Sequence, residues 1–296
     1  MPHLSDNPRS APAPDALLGL RRKLVRRMAG AAPPAPPGPP AAIVFRRDLP
    51  REAPRRPAAD PGICIPLERL VAGRETPSRR GPAFYHIECP AETTASVGPA
   101  LVEALPRAVN ALARAFDAPL GPEEVCFLDI ETTGLGAAPT FLIGTLIWQD
   151  GALVCRQLLA RTYAEEASIL DAFAAAARRT PLFVTFNGKT FDLPTLRARA
   201  AAAGVPLDEP PFHLDVLHAA RRCFGERVPD CRLATLERCV CGRHRLDDIS
   251  GADIGRAYHH FVRTGDAREI ALIVRHNRHD LMTMAELMAR IVMRDA

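Results

Sequence analysis

The chain has 296 residues, 47% of them hydrophobic, so it is long and apolar enough to bury a sizeable core. Its charge of +4 is uneven, because residues 1–60 hold 11 Lys and Arg against 5 Asp and Glu, which leaves −2 on residues 61–296. This distribution excludes a body coated in positive charge and predicts contact with a polyanion through the tail or local patches. No apolar run is long enough to span a membrane or to form the core of a signal peptide.

The eight cysteines, in the absence of a signal peptide, predict free thiols in a reducing, cytoplasmic compartment. Cys231, Cys239 and Cys241, together with His244, could indicate a zinc site. Their spacing contains no Cys-x-x-Cys pair, so we favour small, buried, apolar cysteines in a helical stretch.

Residues 1–60 are predicted to form a disordered tail rich in Pro, Ala and Arg, because they contain 13 of the 29 prolines. Within this tail, residues 15–28 have the pattern of a short basic amphipathic helix. Such a helix could contact nucleic acid, an acidic partner or a membrane surface, or remain a solvated tail helix. We expect residues 61–123 to be an N-terminal extension that packs on a domain of residues 124–296.

The remaining pattern predicts alternating strands and helices. Strands are predicted at 83–88, 125–131, 141–148, 153–159, 182–186 and 212–215. Helices are predicted at 98–116, 165–178, 193–203, 216–224, 233–241, 252–263 and 267–293. The dipeptide Asp150-Gly151 is a strong hairpin signal. This order indicates an α/β fold, in which leading hairpin strands and later parallel strands form one mixed sheet flanked by helices, with strand 125–131 near its centre.

Two carboxylates lie two residues apart in the strand at 125–131. Because alternate side chains of a strand point to the same face, Asp129 and Glu131 share one face and repel each other. Two divalent cations would remove that repulsion, and oxygen ligands suit Mg²⁺ or Mn²⁺. The alternative is two solvent-facing acids on an edge strand.

A second constellation follows the strand at 182–186. Asn187 lies in a polar loop, and Asp192 lies at the start of the next predicted helix. These positions fit metal ligation by Asp192, because a residue at a helix start is fixed and points outward. They also fit an ordinary helix N-cap at Asp192 and an ordinary turn residue at Asn187.

A third constellation lies in the last predicted helix. His276 and Asp280 are four residues apart, so they lie on one face, one helical turn from each other. A charged residue such as Asp280 in the middle of a packed helix needs a partner of opposite charge, and a metal cation could be that partner. The alternative is an ordinary His–Asp pair on a solvated face.

Together, the acids at 129, 131, 192 and 280 are the ligand set that a two-metal phosphodiester hydrolase needs. Such a hydrolase also needs a group that accepts the proton of the attacking water. Histidine has a suitable ordinary pKa, which makes His276 the candidate base.

These motifs resemble those of the DEDD superfamily of 3′–5′ exonucleases, which have the RNase H-like fold, over residues 124–294. The matching segments are Asp129-Ile-Glu-Thr-Thr-Gly134, Asn187-Gly-Lys-Thr-Phe-Asp192 and His276-Asn-x-x-Asp280. Within the superfamily, the chain is most similar to the YprB-type RNase H-like proteins, which are predicted exonucleases, through the stretches 212–222, 247–254 and 276–284.

The resemblance implies a 3′–5′ exonuclease that hydrolyses phosphodiester bonds at the 3′ end of DNA or RNA by a two-metal-ion mechanism. The implied ligands of two Mg²⁺ or Mn²⁺ ions are Asp129, Glu131, Asp192 and Asp280. The implied water-orienting residue is His276, which departs from the family pattern because this chain has a His at the spacing where one branch has a Tyr.

Other residues are expected to contact the substrate or to shape the loops. The resemblance places Thr132, Thr133 and Gly134 against the terminal nucleotide, although turn chemistry alone would also explain them. Asn187 is expected to contact the substrate, and Lys189 to contact a phosphate. The remaining expectations are an N-cap at Asp215, loop or cap roles for Asp247, Asp248 and Asp253, and phosphate contacts or a solvated helix face for Arg221 and Arg222.

Three alternative functions stay open on the sequence alone. They are a non-catalytic nucleic-acid-binding module on the same fold, a structure-specific endonuclease, and an adaptor that works through the basic tail. The first is disfavoured by four acids, because a binding module gains nothing from turning four acids toward a polyanion.

Overall fold

The computed structural model describes residues 64–90, 99–245 and 248–294, so the expected tail and its basic helix lie outside the described residues. The strands are β1 (Arg74–Thr76), β2 (Phe84–Pro90), β3 (Val125–Thr132), β4 (Thr140–Gln149), β5 (Ala152–Leu159), β6 (Leu182–Thr185) and β7 (Phe212–Asp215). The α-helices are α1 (Pro99–Phe116), α2 (Glu166–Ala177), α3 (Asp192–Ala202), α4 (Val216–Phe224), α5 (Leu233–Val240), α6 (Gly251–Thr264) and α7 (Arg268–Arg294). Short 3₁₀ helices lie at Leu67–Arg69, Pro122–Glu124 and Tyr163–Glu165.

All seven strands form one mixed sheet in the order β1-β2-β5-β4-β3-β6-β7. The pairs β1–β2, β2–β5, β5–β4 and β4–β3 are antiparallel. The pairs β3–β6 and β6–β7 are parallel. The predicted α/β class and mixed sheet are therefore confirmed. Strand β3 lies between β4 and β6, as predicted for the strand that carries the first two acids.

The β4–β5 hairpin confirms the turn prediction. Asp150 and Gly151 both have positive φ angles, 52° and 82°. A two-residue turn with positive φ at both positions has the twist that antiparallel strands need, and Asp-Gly adopts it readily.

Both faces of β3 are covered by helices. Phe127 packs into a core cluster that includes residues of α1, α4 and the C-terminal half of α7. Leu128 and Ile130, on the opposite face, pack into a second cluster with α2, α3, α6 and the N-terminal part of α7. Asp129 lies on the same face as Phe127, and β3 is an interior strand of the sheet. The interpretation of two solvent-facing acids on an edge strand is therefore wrong.

The segment that precedes β3 completes one side of the sheet. Strand β2 pairs with β5, and α1 contributes to the same core cluster as the C-terminal half of α7. Strand β1 was not predicted, because Arg74–Thr76 is short and its residues are exposed or half-buried, so it has no apolar alternation. No helix within the described ranges is long and apolar enough to cross a membrane.

A glycine lets α7 approach the sheet closely. Gly144 of β4 lies opposite Asp129 of β3, and a Cβ atom at Gly144 would stand 1.9 Å from Oδ1 of Asn277 on α7. Any larger side chain would therefore displace the amide of Asn277, which is the contact of α7 with Asp129.

We predict that Gly144→Ala lowers the free energy of unfolding by about 1–3 kcal/mol, the usual cost of overpacking a well-packed core. Chemical denaturation of the purified protein measures the change. Gly251→Ala is the matched control, because a Cβ there meets no atom within 4 Å. Equal stabilities of the two variants would contradict the close approach of α7.

Candidate active site

The structure brings the four expected acids into one cluster. Asp129 and Glu131 come from β3, Asp192 is the first residue of α3, and Asp280 lies in the middle of α7. The carboxylate of Asp129 interacts electrostatically with the other three. A cavity of about 520 Å³ opens onto three of them, and His276 lies in its wall.

Asp192 ties its helix to the central strand. Its side chain is 4% exposed, and Oδ1 accepts a hydrogen bond of 3.2 Å from the backbone N–H of Ile130. The N-cap of α3 is Phe191, which makes no side-chain capping bond. The N-cap interpretation of Asp192 is therefore wrong, because Asp192 is the first residue inside the helix and its carboxylate also reaches β3.

Three of the acids are poorly compensated as anions. Burial, followed by the negative charge of Glu131, raises the pKa of Asp129 well above its ordinary value. Burial likewise raises the pKa of Glu131 to about 8 and that of Asp192 to about 7. A bound cation would favour the charged forms, so the donor chemistry of these side chains fits Mg²⁺ or Mn²⁺.

Asp280 differs from the other acids because it already has cationic partners. Nη2 of Arg245 donates to Oδ1 at 2.5 Å, and Nε2 of His276 lies 3.4 Å from Oδ2. Burial opposes ionisation, but these partners outweigh it, so the pKa of Asp280 lies below its ordinary value. A metal that uses Asp280 would have to share or displace these partners.

His276 is held by two carboxylates. Its Nδ1 lies 2.7 Å from Oδ1 of Asp248, and its Nε2 faces Asp280. Burial disfavours the charged ring, but hydrogen bonds to Asp248 and Asp280 outweigh burial and raise the pKa of His276 to about 11. A protonated imidazole cannot accept a proton, so His276 can act as a base only where cations in the site lower that pKa.

Arg245 is the buried cation of this site. Its side chain is 7% exposed and lies in the loop between α5 and α6. Besides Asp280, its guanidinium contacts Glu237 at 2.5 Å and Asp248 at 3.4 Å. The sequence contains no signal for these pairs, because they join loop and helix residues without periodicity.

Asp248 was expected to have a loop or cap role, and the structure confirms the loop but not the cap. It lies in the loop before α6, but the N-cap of α6 is Ser250, whose hydroxyl accepts from Ala252 N. The carboxylate of Asp248 pairs instead with His276 and Arg245. It therefore belongs to the site rather than to the helix end.

Asn277 orients Asp129 from α7. It is fully buried, and its Nδ2 donates to Oδ2 of Asp129 at 2.7 Å and to the Asp129 carbonyl at 3.2 Å. Nε2 of Gln157 donates to Oδ1 of Asn277 at 2.8 Å, which fixes the direction of the amide. The third motif contained Asn277, but its role depends on the approach of α7 to β4 and was not predicted.

The arrangement leads to a prediction of pH dependence for the metal-free protein. Glu131 and Asp192 stay protonated in the folded state above their ordinary pKa values of 4.5 and 3.8, and His276 does so above 6.5. The folded state therefore holds more protons than the unfolded state between about pH 5 and pH 8, so stability falls as pH rises.

Thermal unfolding in EDTA at about pH 5 and pH 8 measures this effect. We expect a lower melting temperature at pH 8, a smaller drop for Asp192→Asn, and recovery with Mn²⁺. A melting temperature in EDTA that rises across this range would contradict the assignment.

The first substrate-binding candidates line the cavity beside the acids. Thr132, Thr133 and Gly134 are all in its wall, together with residues of α6. The hydroxyl of Thr132 donates to the Gly134 carbonyl at 2.6 Å, so turn chemistry is also present. Helix α6 reaches this loop because Gly255 has no side chain, and a Cβ there would stand 2.4 Å from the Thr133 carbonyl oxygen.

The second set lies on the other side of the acids. Asn187 lines a cavity of about 600 Å³ together with Arg221 and Arg232, and this cavity also reaches Asp129 and Asp280. Lys189 is exposed in the same loop as Asn187 but is not in the wall of either cavity. The carboxylate acids thus adjoin two open spaces, with Arg256 in the wall of the first and Arg221 and Arg232 in the wall of the second.

Asp215 is confirmed as an N-cap, and it does more than cap its helix. Its carboxylate accepts from Leu217 N in α4 and also from the backbone N–H groups of Asn187 and Lys189. It therefore fixes the loop of the second motif, in which Asn187 has a positive φ of 64°.

The side chains in the part of the chain that the structure describes do not form a preformed metal-binding group. No group of three or more His, Cys, Asp or Glu residues there has the geometry to hold an ion. The eight cysteines are free thiols. Of the four acids, Asp280 is the one that is paired with Arg245 and His276.

A family model described as RNase_H superfamily (RNase_H_2) matches residues 126–292, which contain all four acids. The chain belongs to the RNase H superfamily. The matched residues extend from β3 to α7 and so cover the whole five-stranded part of the sheet around the site.

This RNase H-like chain is also similar to named proteins. It is 32% identical over 167 residues to the uncharacterized protein YprB of Bacillus subtilis, an alignment that covers 54% of this chain and 40% of YprB. The chain therefore spans less than half the length of that relative.

Two solved structures are similar at lower identity. The family B DNA polymerase of Pyrobaculum calidifontis is 18% identical with a TM-score of 0.45, over 56% of this chain and 24% of the polymerase. The zinc-bound E. coli ExoI–ssDNA complex is 15% identical with a TM-score of 0.30, over 53% of this chain and 44% of that protein.

Proposed function

We propose that this RNase H-like chain is a metal-dependent nuclease, specifically a 3′–5′ exonuclease that hydrolyses phosphodiester bonds of DNA or RNA. The observation that carries the proposal is the cluster of four carboxylates from β3, α3 and α7, three of which have raised pKa values. Buried anions without compensation are costly, and bound divalent cations would neutralise their charge.

In this proposal, Asp129, Glu131, Asp192 and Asp280 hold two Mg²⁺ or Mn²⁺ ions. The chemistry that such ions supply when bound is activation of a water and stabilisation of the leaving oxygen. The chain itself holds Asp129 through Asn277 and positions Asp192 through the N–H of Ile130.

The open spaces on either side of the acids would receive the substrate. Thr132, Thr133 and Gly134 are proposed to contact the terminal nucleotide in the first cavity. Asn187 and Lys189 are proposed to contact the strand on the other side, where Arg221 and Arg232 add positive charge. The domain would comprise residues 124–296, with residues 61–123 as an extension that completes the sheet.

A non-catalytic nucleic-acid-binding module is the second candidate. The observation in its favour is Arg245, which occupies one oxygen of Asp280 and would neutralise part of the cluster without a metal. This candidate predicts binding of nucleic acid that does not change in EDTA, and no product under any metal condition.

The test uses the full chain with 3′- and 5′-labelled single- and double-stranded DNA and RNA, in Mg²⁺, Mn²⁺ or EDTA. We expect metal-dependent release of mononucleotides from the 3′ end of linear strands and no cleavage of circular strands. Cleavage of circles would indicate an endonuclease, and EDTA-resistant binding without product would indicate the binding module.

A further inference from the structure

Two cysteines face each other across the neighbouring strands β2 and β5. Cys89 of β2 lies directly opposite Cys155 of β5 in the antiparallel register. Opposed Cα atoms in antiparallel strands are about 4.5–5.5 Å apart, within the roughly 4.4–6.8 Å found across disulfides. Directly opposed residues of antiparallel strands point to the same face of the sheet, so the two thiols are neighbours. A disulfide would therefore need little backbone movement.

The two thiols differ in access to solvent. Cys89 is half-buried, whereas Cys155 is 1% exposed and lies in the core cluster beneath α7. An external reagent can therefore meet Cys89 first and Cys155 only through Cys89. This is the arrangement of an attacking and a resolving cysteine.

A guanidinium group lies beside the pair. Arg278 of α7 interacts with both cysteines, and its Nε is buried without a hydrogen-bond partner in the described part of the chain. A neighbouring guanidinium stabilises a thiolate, which is the reactive form of cysteine. The hydrogen bond from Cys155, and then the charge of Arg278, lower the pKa of Cys89 to about 6 despite burial.

We propose that Cys89 and Cys155 form a thiol–disulfide exchange site for low-molecular-weight disulfides of the glutathione type. Cys89 is the attacking thiolate, Cys155 is the resolving thiol, and Arg278 is the cation that holds the thiolate. Neither cysteine lines the two cavities beside the carboxylates, and the proposal does not rest on nuclease activity.

The exchange balances without a further oxidant. The Cys89 thiolate attacks one sulfur of the small disulfide, whose S–S bond breaks and releases one small thiolate. Cys155 then loses its proton to solvent, and its sulfur attacks the Cys89 sulfur and releases the second small thiolate. The two cysteines are oxidised to one protein disulfide, and the small disulfide is reduced to two thiols.

The experiment treats the full chain with oxidised glutathione at neutral pH, blocks remaining thiols and identifies modified peptides by mass spectrometry. We expect a peptide pair linked through Cys89 and Cys155 that carries no glutathione and is released by dithiothreitol. Cys155→Ala should trap glutathione on Cys89, and Cys89→Ser should leave Cys155 unmodified. Exposed Cys239 serves as an internal control, expected to stop at a mixed disulfide.

A second measurement tests Arg278. The pH dependence of the alkylation rate of Cys89 should shift to higher pH in Arg278→Gln, because the thiolate loses its cation. An unchanged pH dependence would overturn the role of Arg278. Cys89 that stays reduced while Cys239 reacts, or that keeps glutathione in the parent chain, would overturn the exchange site.

Discussion

Asp129→Asn is expected to reduce metal-dependent nuclease activity by about 100-fold or more while leaving the fold intact. The negative charges of the other three acids all raise the pKa of Asp129, so Asp129 is the acid that we expect a bound metal to depend on most. Metal ions contribute several kcal/mol to phosphodiester hydrolysis, and each 1.36 kcal/mol or so is tenfold in rate. Initial rates on an end-labelled single strand in Mg²⁺ or Mn²⁺ measure the loss.

The fold should survive because the substitution removes a costly buried charge. The Asn side chain keeps the shape of Asp129 and its contact with Asn277, so we expect a melting temperature in EDTA at least equal to that of the parent. Asp253→Asn is the matched control, since it removes one exposed carboxylate from α6 near the same cavity. Parent-like activity of Asp129→Asn, or equal losses in both variants, would show that the site lies elsewhere.

Arg245→Gln is expected to destabilise the metal-free protein by about 3–5 kcal/mol, the usual result of removing one partner from a buried ion pair. The substitution leaves Asp280, Glu237 and Asp248 without their shared cation. Chemical denaturation in EDTA measures the loss. Arg197→Gln is the control, because its exposed pair with Glu209 should contribute at most about 1 kcal/mol.

The same variant distinguishes two roles for Arg245. If the guanidinium substitutes for a metal at Asp280, Mn²⁺ should raise the melting temperature of Arg245→Gln more than that of the parent. The reason is that the guanidinium no longer competes with Mn²⁺ for the carboxylate of Asp280. If it instead positions Asp280 for the metal, Mn²⁺ should stabilise the variant less. We expect the first result, since Nη2 occupies the Oδ1 atom itself.

Local patterns were sufficient to predict the sheet around the site. Apolar runs and one Asp-Gly turn located β3, β4 and β5, and helix α4 begins and ends at the predicted residues, Val216 and Phe224. The pair Asp129 and Glu131 could also be assigned to one face, because strand alternation depends on nothing beyond the strand itself.

The rest of the site could not be predicted because it depends on distant contacts. Arg245 and Asp280 are 35 positions apart, and Asn277 and Asp129 are 148 apart. Each pair meets only after helices and strands have packed. The contact of Asp192 with β3 could not be predicted for the same reason, since Asp192 and Ile130 are 62 positions apart.

Helix α7 has a consequence for the order of folding. It contributes residues to both core clusters, and the turn from His276 to Asp280 lies between those two contributions. During synthesis, the sheet strands leave the ribosome long before this helix does. The carboxylates of β3 and α3 must therefore wait for α7, so the site is completed among the last long-range contacts of the domain. A chain that stops before residue 276 would keep the α7 residues of the second core cluster but would lack those of the first, as well as the fourth acid.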